Sequence, residues 1–252
     1  MGYFRRILLT TDFSETAVRT QTVAGALAKK LGATMVLAHV DEERALGAHS
    51  SGELISYMNE IDARRTRWME TMGARLAEEG VTVELERLEG VASEQIIEYA
   101  ERTGVDLIVM GALGHTTLKH VLLGSTSRAV IRQAKCPVLT LSGSAEAPEG
   151  WNIKKLCYPT DFSKASVAAA PQIVELAATF GATIELMHVL RAPIHVPALP
   201  GEPPISLPMS AVDPSRQLAD ADLAELAERL REMSSVEVNT GVILDGDAAD
   251  GI

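Results

Sequence analysis

Two stretches of the chain carry nearly the same residues, and they determine how the rest is interpreted. Residues 7–14 read Ile-Leu-Leu-Thr-Thr-Asp-Phe-Ser, and residues 156–163 read Leu-Cys-Tyr-Pro-Thr-Asp-Phe-Ser. Further identities follow at the same offset of 149 residues: Asp12 with Asp161, Gly32 with Gly181, and His39 with His188. A match over such a long ungapped register indicates an internal repeat.

The second copy is longer in its middle than the first. Residues 90–96 resemble residues 246–252 at an offset of 156, so the second copy holds about seven extra residues between these landmarks. We place them in residues 192–216, which contain seven of the eleven prolines of the chain. Because proline fixes φ and lacks a backbone donor, we expect neither regular helix nor central strand in this segment.

The second copy is also shorter at its end. The first copy continues for 52 residues from Gly90 to Ser142, whereas six residues follow Gly246. We therefore expect one complete domain over residues 1–145. The second domain, residues 151–252, should stop before its glycine motif and last strands, as in a truncated chain.

Short apolar runs alternate with helical patterns in the first copy. Five runs rich in valine, isoleucine and leucine predict buried strands: residues 7–10, 35–40, 81–88, 107–110 and 138–141. Four segments with helical periodicity lie between them: residues 15–31, 54–79, 93–103 and 125–134. Glycine follows each of the first three, as is typical of helix C-caps: Gly32, Gly80 and Gly104.

This order of elements predicts the α/β fold class, with a Rossmann-like, doubly wound, five-stranded parallel sheet in each copy and the second copy incomplete. In such sheets, ligands bind outside the carboxyl ends of the strands, where the strand order reverses. The first copy has Thr10, Thr11 and Asp12 at that end of its first strand.

A glycine motif follows the fourth strand. Gly111 and Gly114 are separated by two residues, and Gly124-Ser125 follows after nine more. Glycine lets a ligand approach the backbone closely, and a helix start offers backbone N–H groups and a positive dipole end to phosphates. Taken alone, each residue is better explained as a turn, a bend or an N-cap. Together with the carboxylate of Asp12, they favour a nucleotide site.

Both copies resemble universal stress protein domains. The resemblance rests on the aspartate that ends strand one and on the G-2x-G-9x-G-S spacing, which marks the ATP-binding branch of that family. It implies ribose and adenine contacts from Thr10, Thr11, Asp12 and Val40, contacts on the α-phosphate side from Met110 and Gly111, and phosphate contacts from Gly114, Gly124, Ser125 and Thr126. His115 lies in the same loop and could neutralise phosphate charge. Thr10 departs from the family, where proline or alanine is common at this position.

Composition narrows the function classes. Acidic residues outnumber basic ones by 34 to 23, giving a net charge of −11, which disfavours binding to a nucleic-acid backbone. Two cysteines are few for a secreted disulfide scaffold and fit a reducing cytoplasm. Apolar runs are shorter than the roughly 18 residues that span a bilayer. We expect a cytoplasmic protein that binds neither nucleic acid nor membrane.

Metal binding and catalysis find little support in the sequence. His39 and His188 occupy equivalent strand ends without a partner at metal-ligand spacing, so we expect them to be structural. The acidic residues 41–43 are interpreted as a solvated strand exit, and Mg²⁺ is expected to arrive with ATP. The P-loop and dinucleotide fingerprints are absent, and no base and nucleophile pair stands beside the glycine motif.

Three functions are compatible with these observations. The first is an ATP-binding stress-response protein in which the nucleotide acts as a conformational or assembly switch, with at most slow hydrolysis. The second is a nucleotide-independent tandem scaffold, and the third is a genuine ATP hydrolase or phosphotransferase. Residues 138–141 form a predicted apolar edge strand, so we expect a homodimer or pairing of the two copies within the chain.

Overall fold

A computed structural model of the chain describes residues 2–42, 52–112, 123–141, 151–191 and 213–245. The chain divides into two compact units, Met1–Trp151 and Asn152–Ile252. Each unit has its own parallel sheet, as the sequence predicts, and the second unit is the shorter.

The first unit alternates strands and helices. Its elements are β1 (Arg6–Thr10), α1 (Glu15–Leu31), β2 (Thr34–Asp41), α2 (Gly52–Glu78), β3 (Thr82–Glu89), α3 (Ala92–Thr103), β4 (Leu107–Gly111), α4 (Ser125–Gln133) and β5 (Val138–Leu141). The strand order is β3-β2-β1-β4-β5, and all pairs are parallel. This confirms the predicted doubly wound sheet.

The centre of the sheet is buried on both faces. Ile7, Leu8 and Leu9 are consecutive on β1 and fully buried, although alternate residues of a strand point to opposite faces. Helices therefore cover both sides, and α3 and α4 pack on the face that carries Leu8 and Met110. The carboxyl ends of the strands are left as the edge where loops can form a site.

Side-chain and glycine caps mark the ends of α1 and α3. Ser14 is the N-cap of α1, and its hydroxyl accepts from the Ala17 N–H at 3.2 Å. Gly32 and Gly104 are the C-caps of α1 and α3, with φ of 64° and 67°, a conformation that glycine adopts without a Cβ clash.

The second unit contains the counterparts of the first three strands. Its elements are β6 (Lys155–Pro159), α5 (Lys164–Ala168), α6 (Ala170–Phe180), β7 (Thr183–Arg191), α7 (Asp213–Met233) and β8 (Val238–Asp245). The sheet is parallel with order β6-β7-β8, so β7 is central as β2 is between β1 and β3. Ile184 and Leu186 on β7 are fully buried, as are Met35 and Leu37 at the equivalent places on β2.

One prediction in this unit is wrong. Residues 192–216 were expected to lack regular helix, but α7 begins at Asp213 and includes Pro214 as its second residue. Proline is tolerated in the first turn of a helix, because the N–H that it lacks would have no intrahelical partner there. Residues 213–216 therefore belong to α7, and the rest of the proline-rich segment lies outside the described residues.

Within the described ranges, no helix is both long enough and apolar enough to cross a membrane.

Candidate functional site

The turn between β1 and α1, residues 11–14, is fixed by its own side chains. The Thr11 hydroxyl accepts from the Phe13 N–H at 3.1 Å, and the Asp12 carboxylate accepts from the Ser14 N–H at 3.0 Å. The Thr11 N–H donates to the Ala38 carbonyl on β2 at 2.9 Å. Short polar side chains that accept hydrogen bonds from nearby backbone N–H groups, in place of backbone carbonyls, favour turns. Thr11 is thereby buried, while Asp12 is half-buried at the sheet edge.

Phe13 occupies an unusual backbone conformation in this turn. Its φ is 63°, in the left-handed region that a residue with a bulky side chain rarely adopts. Its ring lies 4.3 Å from the His39 ring and 4.8 Å from the Trp68 ring, centroid to centroid. These aromatic contacts offset part of the backbone strain.

His39 supports the turn from the adjacent strand. Its Nδ1 lies 2.8 Å from the Thr11 carbonyl oxygen, and since a carbonyl only accepts, Nδ1 carries the proton. Its Nε2 lies 3.2 Å from the Asp41 carboxylate and makes no hydrogen bond to it, because in the neutral ring with Nδ1 protonated both of these atoms are acceptors. Burial lowers the pKa of His39 below its usual value, against the opposing effect of the Thr11 hydrogen bond. The structural role expected for this histidine agrees with these contacts.

Asp41 is the centre of a buried ionic cluster. It is 1% exposed and accepts from Arg65 at 3.0 Å and from the Arg87 Nε at 3.1 Å, with a second, short contact to the Arg87 Nη2. Arg87 also donates to Asp62 at 2.7 Å. The cluster joins β2 and β3 to α2, because Asp62 and Arg65 lie on that helix.

The expectation of a solvated strand exit at residues 41–43 is therefore wrong for Asp41. Glu42 is exposed, and its carboxylate accepts from the Ala92 N–H at 2.9 Å, at the start of α3. Residue 43 lies outside the described residues. The partners of Asp41, Arg65 and Arg87, are 24 and 46 residues away in sequence, so a local sequence pattern could not predict these contacts.

The end of β4 and the start of α4 lie against each other. The Gly124 N–H donates to the Ala112 carbonyl at 2.7 Å, and the Ser127 hydroxyl donates to the Gly111 carbonyl at 2.9 Å. These bonds place the N-terminus of α4 at the exit of β4. Ser125 begins the helix and is exposed, and the first turn of α4 contains no acidic residue. Such a helix start favours an anion.

Gly124 does not need to be glycine for its backbone conformation. Its φ of −64° and ψ of 162° suit any residue, so the absence of a Cβ is the physical property that distinguishes glycine here. Gly114 and His115 lie outside the described residues. Thr126 is half-buried, and Met110 is buried in the core beneath this edge.

The remaining predicted residues meet at the same edge of the sheet. β1 pairs with β2 on one side and with β4 on the other, so the strand order reverses between β1 and β4. Thr10 ends β1, Val40 lies near the end of β2, and Gly111 ends β4. Neighbouring strands are about 4.8 Å apart, so these exits form one continuous edge.

The second unit repeats the turn. Phe162 has a φ of 60°, its ring lies 4.7 Å from the His188 ring, and the His188 Nδ1 lies 2.7 Å from the Thr160 carbonyl oxygen. An open pocket of about 400 Å³ lies beside it, lined by Pro159, Thr160, Asp161, Ser163, Ser166, Met187, His188 and Val189. Hydrogen bonds from Ser163 and Ser166 lower the pKa of Asp161 to about 2.

A metal centre is not evident in the described residues. No three histidine, cysteine, aspartate or glutamate side chains come together there in a group that could hold an ion.

Comparison with known proteins identifies the family. The universal stress protein family model matches residues 3–142 and 152–252, and the chain belongs to this family. It is similar to universal stress protein MJ0531 of Methanocaldococcus jannaschii, with 34% identity over 141 residues, covering 55% of this chain and 82% of that protein. It is also similar to universal stress protein MJ0577 of the same organism, with 31% identity over 153 residues, covering 55% of this chain and 94% of that protein.

A solved structure extends the likeness to both units. The chain is similar to the solved universal stress protein from Archaeoglobus fulgidus DSM 4304. The match covers 97% of this chain and 78% of that protein, with 19% identity and a TM-score of 0.65. At that identity the likeness concerns the fold alone. The α/β fold is therefore shared with a solved universal stress protein.

Proposed function

We propose that the first unit binds ATP and that nucleotide occupancy acts as a conformational or assembly switch, with at most slow hydrolysis. The observation that carries the proposal is the convergence of three features at one sheet edge. Asp12 follows β1, Gly111 ends β4, and the N-terminus of α4 is held there by the bond from the Gly124 N–H to the Ala112 carbonyl. This edge is the point at which the strand order reverses.

The residues at this edge fit the parts of a nucleotide. The carboxylate of Asp12 would accept from ribose hydroxyls, and the half-buried Val40 would lie against the base. The first turn of α4, with the hydroxyls of Ser125 and Thr126, would receive the phosphates, which the helix dipole favours. The full proposed set is Thr10, Thr11, Asp12, Val40, Met110, Gly111, Gly114, His115, Gly124, Ser125 and Thr126. Mg²⁺ would enter with the phosphates of ATP.

Slow turnover is supported by the orientation of His39. Its Nδ1 is bonded to the Thr11 carbonyl and its Nε2 is directed at Asp41, so both nitrogens face the protein interior. A general base must reach the proton that it removes, and His39 is directed away from such a role. His39 is therefore not placed to act as the general base for ATP hydrolysis.

Assembly is proposed to involve the β5 edge. In the described sheet β5 pairs with β4 and ends the strand order, and its four residues are half-buried. An apolar edge strand is a template for further pairing. We propose a homodimer, or pairing of the two copies, that responds to the nucleotide.

Calorimetric titration of ATP into the purified chain tests the site. We expect saturable binding to the wild type and its loss in Gly114→Val, because the added side chain would occupy the space that the phosphates need. Gly241→Val is the matched control, since a Cβ at Gly241 meets no atom of the described residues within 4 Å and the residue lies in the second unit.

Three results would redirect the proposal. Equal ATP affinity in wild type and Gly114→Val would exclude the glycine motif as the phosphate site. No binding at millimolar ATP would favour a nucleotide-independent scaffold, and steady-state turnover well above background would favour a hydrolase.

Light scattering with and without ATP tests the assembly switch, and an unchanged mass would contradict it.

A further inference from the structure

Both units hold the same strained turn with the same histidine. Phe13 and Phe162 have φ of 63° and 60°, and a histidine ring packs against each phenylalanine ring. A left-handed conformation is unfavourable for a non-glycine residue, so it persists only where the surroundings impose it. Its occurrence in both units indicates that the turn is held in place rather than adopted by chance.

The histidine contacts the backbone of the turn directly. The Nδ1 atoms of His39 and His188 lie 2.8 and 2.7 Å from the carbonyl oxygens of Thr11 and Thr160. Each of these carbonyls immediately precedes the aspartate of its turn. The hydrogen bond therefore fixes the peptide that leads into the aspartate.

In the first unit the histidine is itself confined from behind. His39 is 7% exposed, and its Nε2 lies 3.2 Å from Asp41, which Arg65 and Arg87 bind in turn. Phe13 covers its ring on the side of the turn. Because the side chain of His39 is held in this way, its hydrogen bond keeps the turn in a fixed position relative to the sheet.

We propose that His39 is a positioning residue for the nucleotide site: through its Nδ1–H it holds the Thr11 carbonyl and so orients the carboxylate of Asp12 toward the ligand. This inference rests on the proposed function of the first unit and adds a residue that does not touch the ligand. It also assigns a tautomer, with the proton of the neutral ring on Nδ1.

Two amide variants separate this role from a general packing role. The amide nitrogen of asparagine is two bonds from Cβ, as Nδ1 is in histidine, whereas that of glutamine is three bonds away, as Nε2 is. His39→Asn can donate to the Thr11 carbonyl, and His39→Gln places its donor near Asp41 instead. The two variants are similarly polar, so a difference between them reports on the position of the donor.

The test is the ATP affinity of the full chain carrying each variant. We expect His39→Gln to raise the dissociation constant for ATP about tenfold, because one hydrogen bond is lost. The dissociation constant of His39→Asn should stay within about threefold of the wild-type value. His188→Gln is the matched control, because it removes the same bond in the second unit and should leave the affinity unchanged. Equal losses in His39→Asn and His39→Gln, or wild-type affinity in His39→Gln, would overturn the proposal.

Nuclear magnetic resonance gives a readout that does not depend on ATP. The ¹⁵N shifts of the His39 ring should show a protonated Nδ1, and the amide resonances of Phe13 and Ser14 should move in His39→Gln and return in His39→Asn. If the wild type binds no ATP, the proposed function fails and this readout alone decides whether His39 holds the turn. A protonated Nε2 with a bare Nδ1 would refute the positioning role.

Discussion

The two units share a turn but differ in what supports it. In the first unit, the residue two positions beyond the histidine is Asp41, and the residue paired with His39 on the neighbouring strand is Arg87. In the second unit, the corresponding residues are Leu190 and Val242, both apolar. The turn has the same geometry in both, with a phenylalanine at positive φ and a histidine bonded to the preceding threonine carbonyl.

Comparison of the two units distinguishes the residues that form the turn from the ionic cluster that lies behind it. The turn depends on its own residues and on the histidine, because it forms equally well with an ionic or an apolar support. The ionic cluster instead connects α2 to the sheet through Arg65 and Asp62. The first unit therefore carries an additional interaction, and the second shows what the fold is like without it.

The largest expected effect is the loss of the ionic cluster. Asp41→Ala would leave Arg65 and Arg87 without their shared carboxylate and should destabilise the first unit by about 3 kcal/mol. Urea unfolding followed by Trp68 fluorescence, in a Trp151→Phe background, reports on this unit. Glu60→Ala is the control, since its pair with Arg64 is exposed and should contribute less than about 1 kcal/mol. Equal midpoints for the two variants would show that the cluster contributes no more than a surface ion pair.

The packing of the first helix gives the next largest effect. Gly25 on α1 corresponds to Val174 on α6, and a Cβ at Gly25 would lie 2.7 Å from the Leu76 Cδ2. Gly25→Val should therefore cost about 1–3 kcal/mol by overpacking, although the second unit accommodates valine at this position. Addition of Leu76→Ala should give a double variant that is more stable than the sum of the two single changes implies. Strict additivity would place the cost elsewhere than in this contact.

A smaller effect concerns pH. Burial lowers the pKa of His39, so the folded state favours the neutral ring and the unfolded state takes up the proton first. The stability that this provides is present above the unfolded pKa of about 6.5 and is lost as pH falls below it. The groups around the ring are Asp41, Arg65 and Arg87. We expect urea midpoints to fall less between pH 7 and pH 5.5 in His39→Asn than in wild type, and parallel profiles would contradict this.

Most of the architecture could be predicted because its signals are local. Runs of branched apolar residues predict the strands, and the glycines at positions 32 and 104 predict helix ends that the structure confirms with left-handed caps. The repeat predicts that the second unit resembles the first. Element ends differ by one or two residues, as at α2, which ends at Glu78 rather than at residue 79.

The support of the site could not be predicted, because it depends on contacts between distant residues. The local sequence around Asp41 indicates a charged residue at the end of a strand. Its contacts with Arg65 and Arg87 form only in the folded chain. His39 offers one signal, its repetition as His188, which indicates a shared role without revealing the hydrogen bond to Thr11. The positive φ of Phe13 has no sequence signal of the kind that glycine provides.

The smallest expected effect concerns Asp161 in the turn of the second unit. Hydrogen bonds from the Ser163 side chain, the Ser163 backbone and the Ser166 side chain lower the pKa of Asp161 to about 2. A carboxyl that accepts such bonds is stabilised in its ionised form, so the ¹³C shift of the Asp161 carboxyl should still be that of a carboxylate at pH 3. Ser163→Ala should raise this pKa, because it removes the hydrogen bond from the Ser163 hydroxyl. Since Asp161 is exposed, the change in its pKa should alter the stability of the second unit little. Ser163→Ala also removes the cap of α5, the hydroxyl that accepts from the Ser166 N–H, and this loss should cost about 1 kcal/mol. A protonated Asp161 carboxyl at pH 3 in the wild type would contradict the prediction.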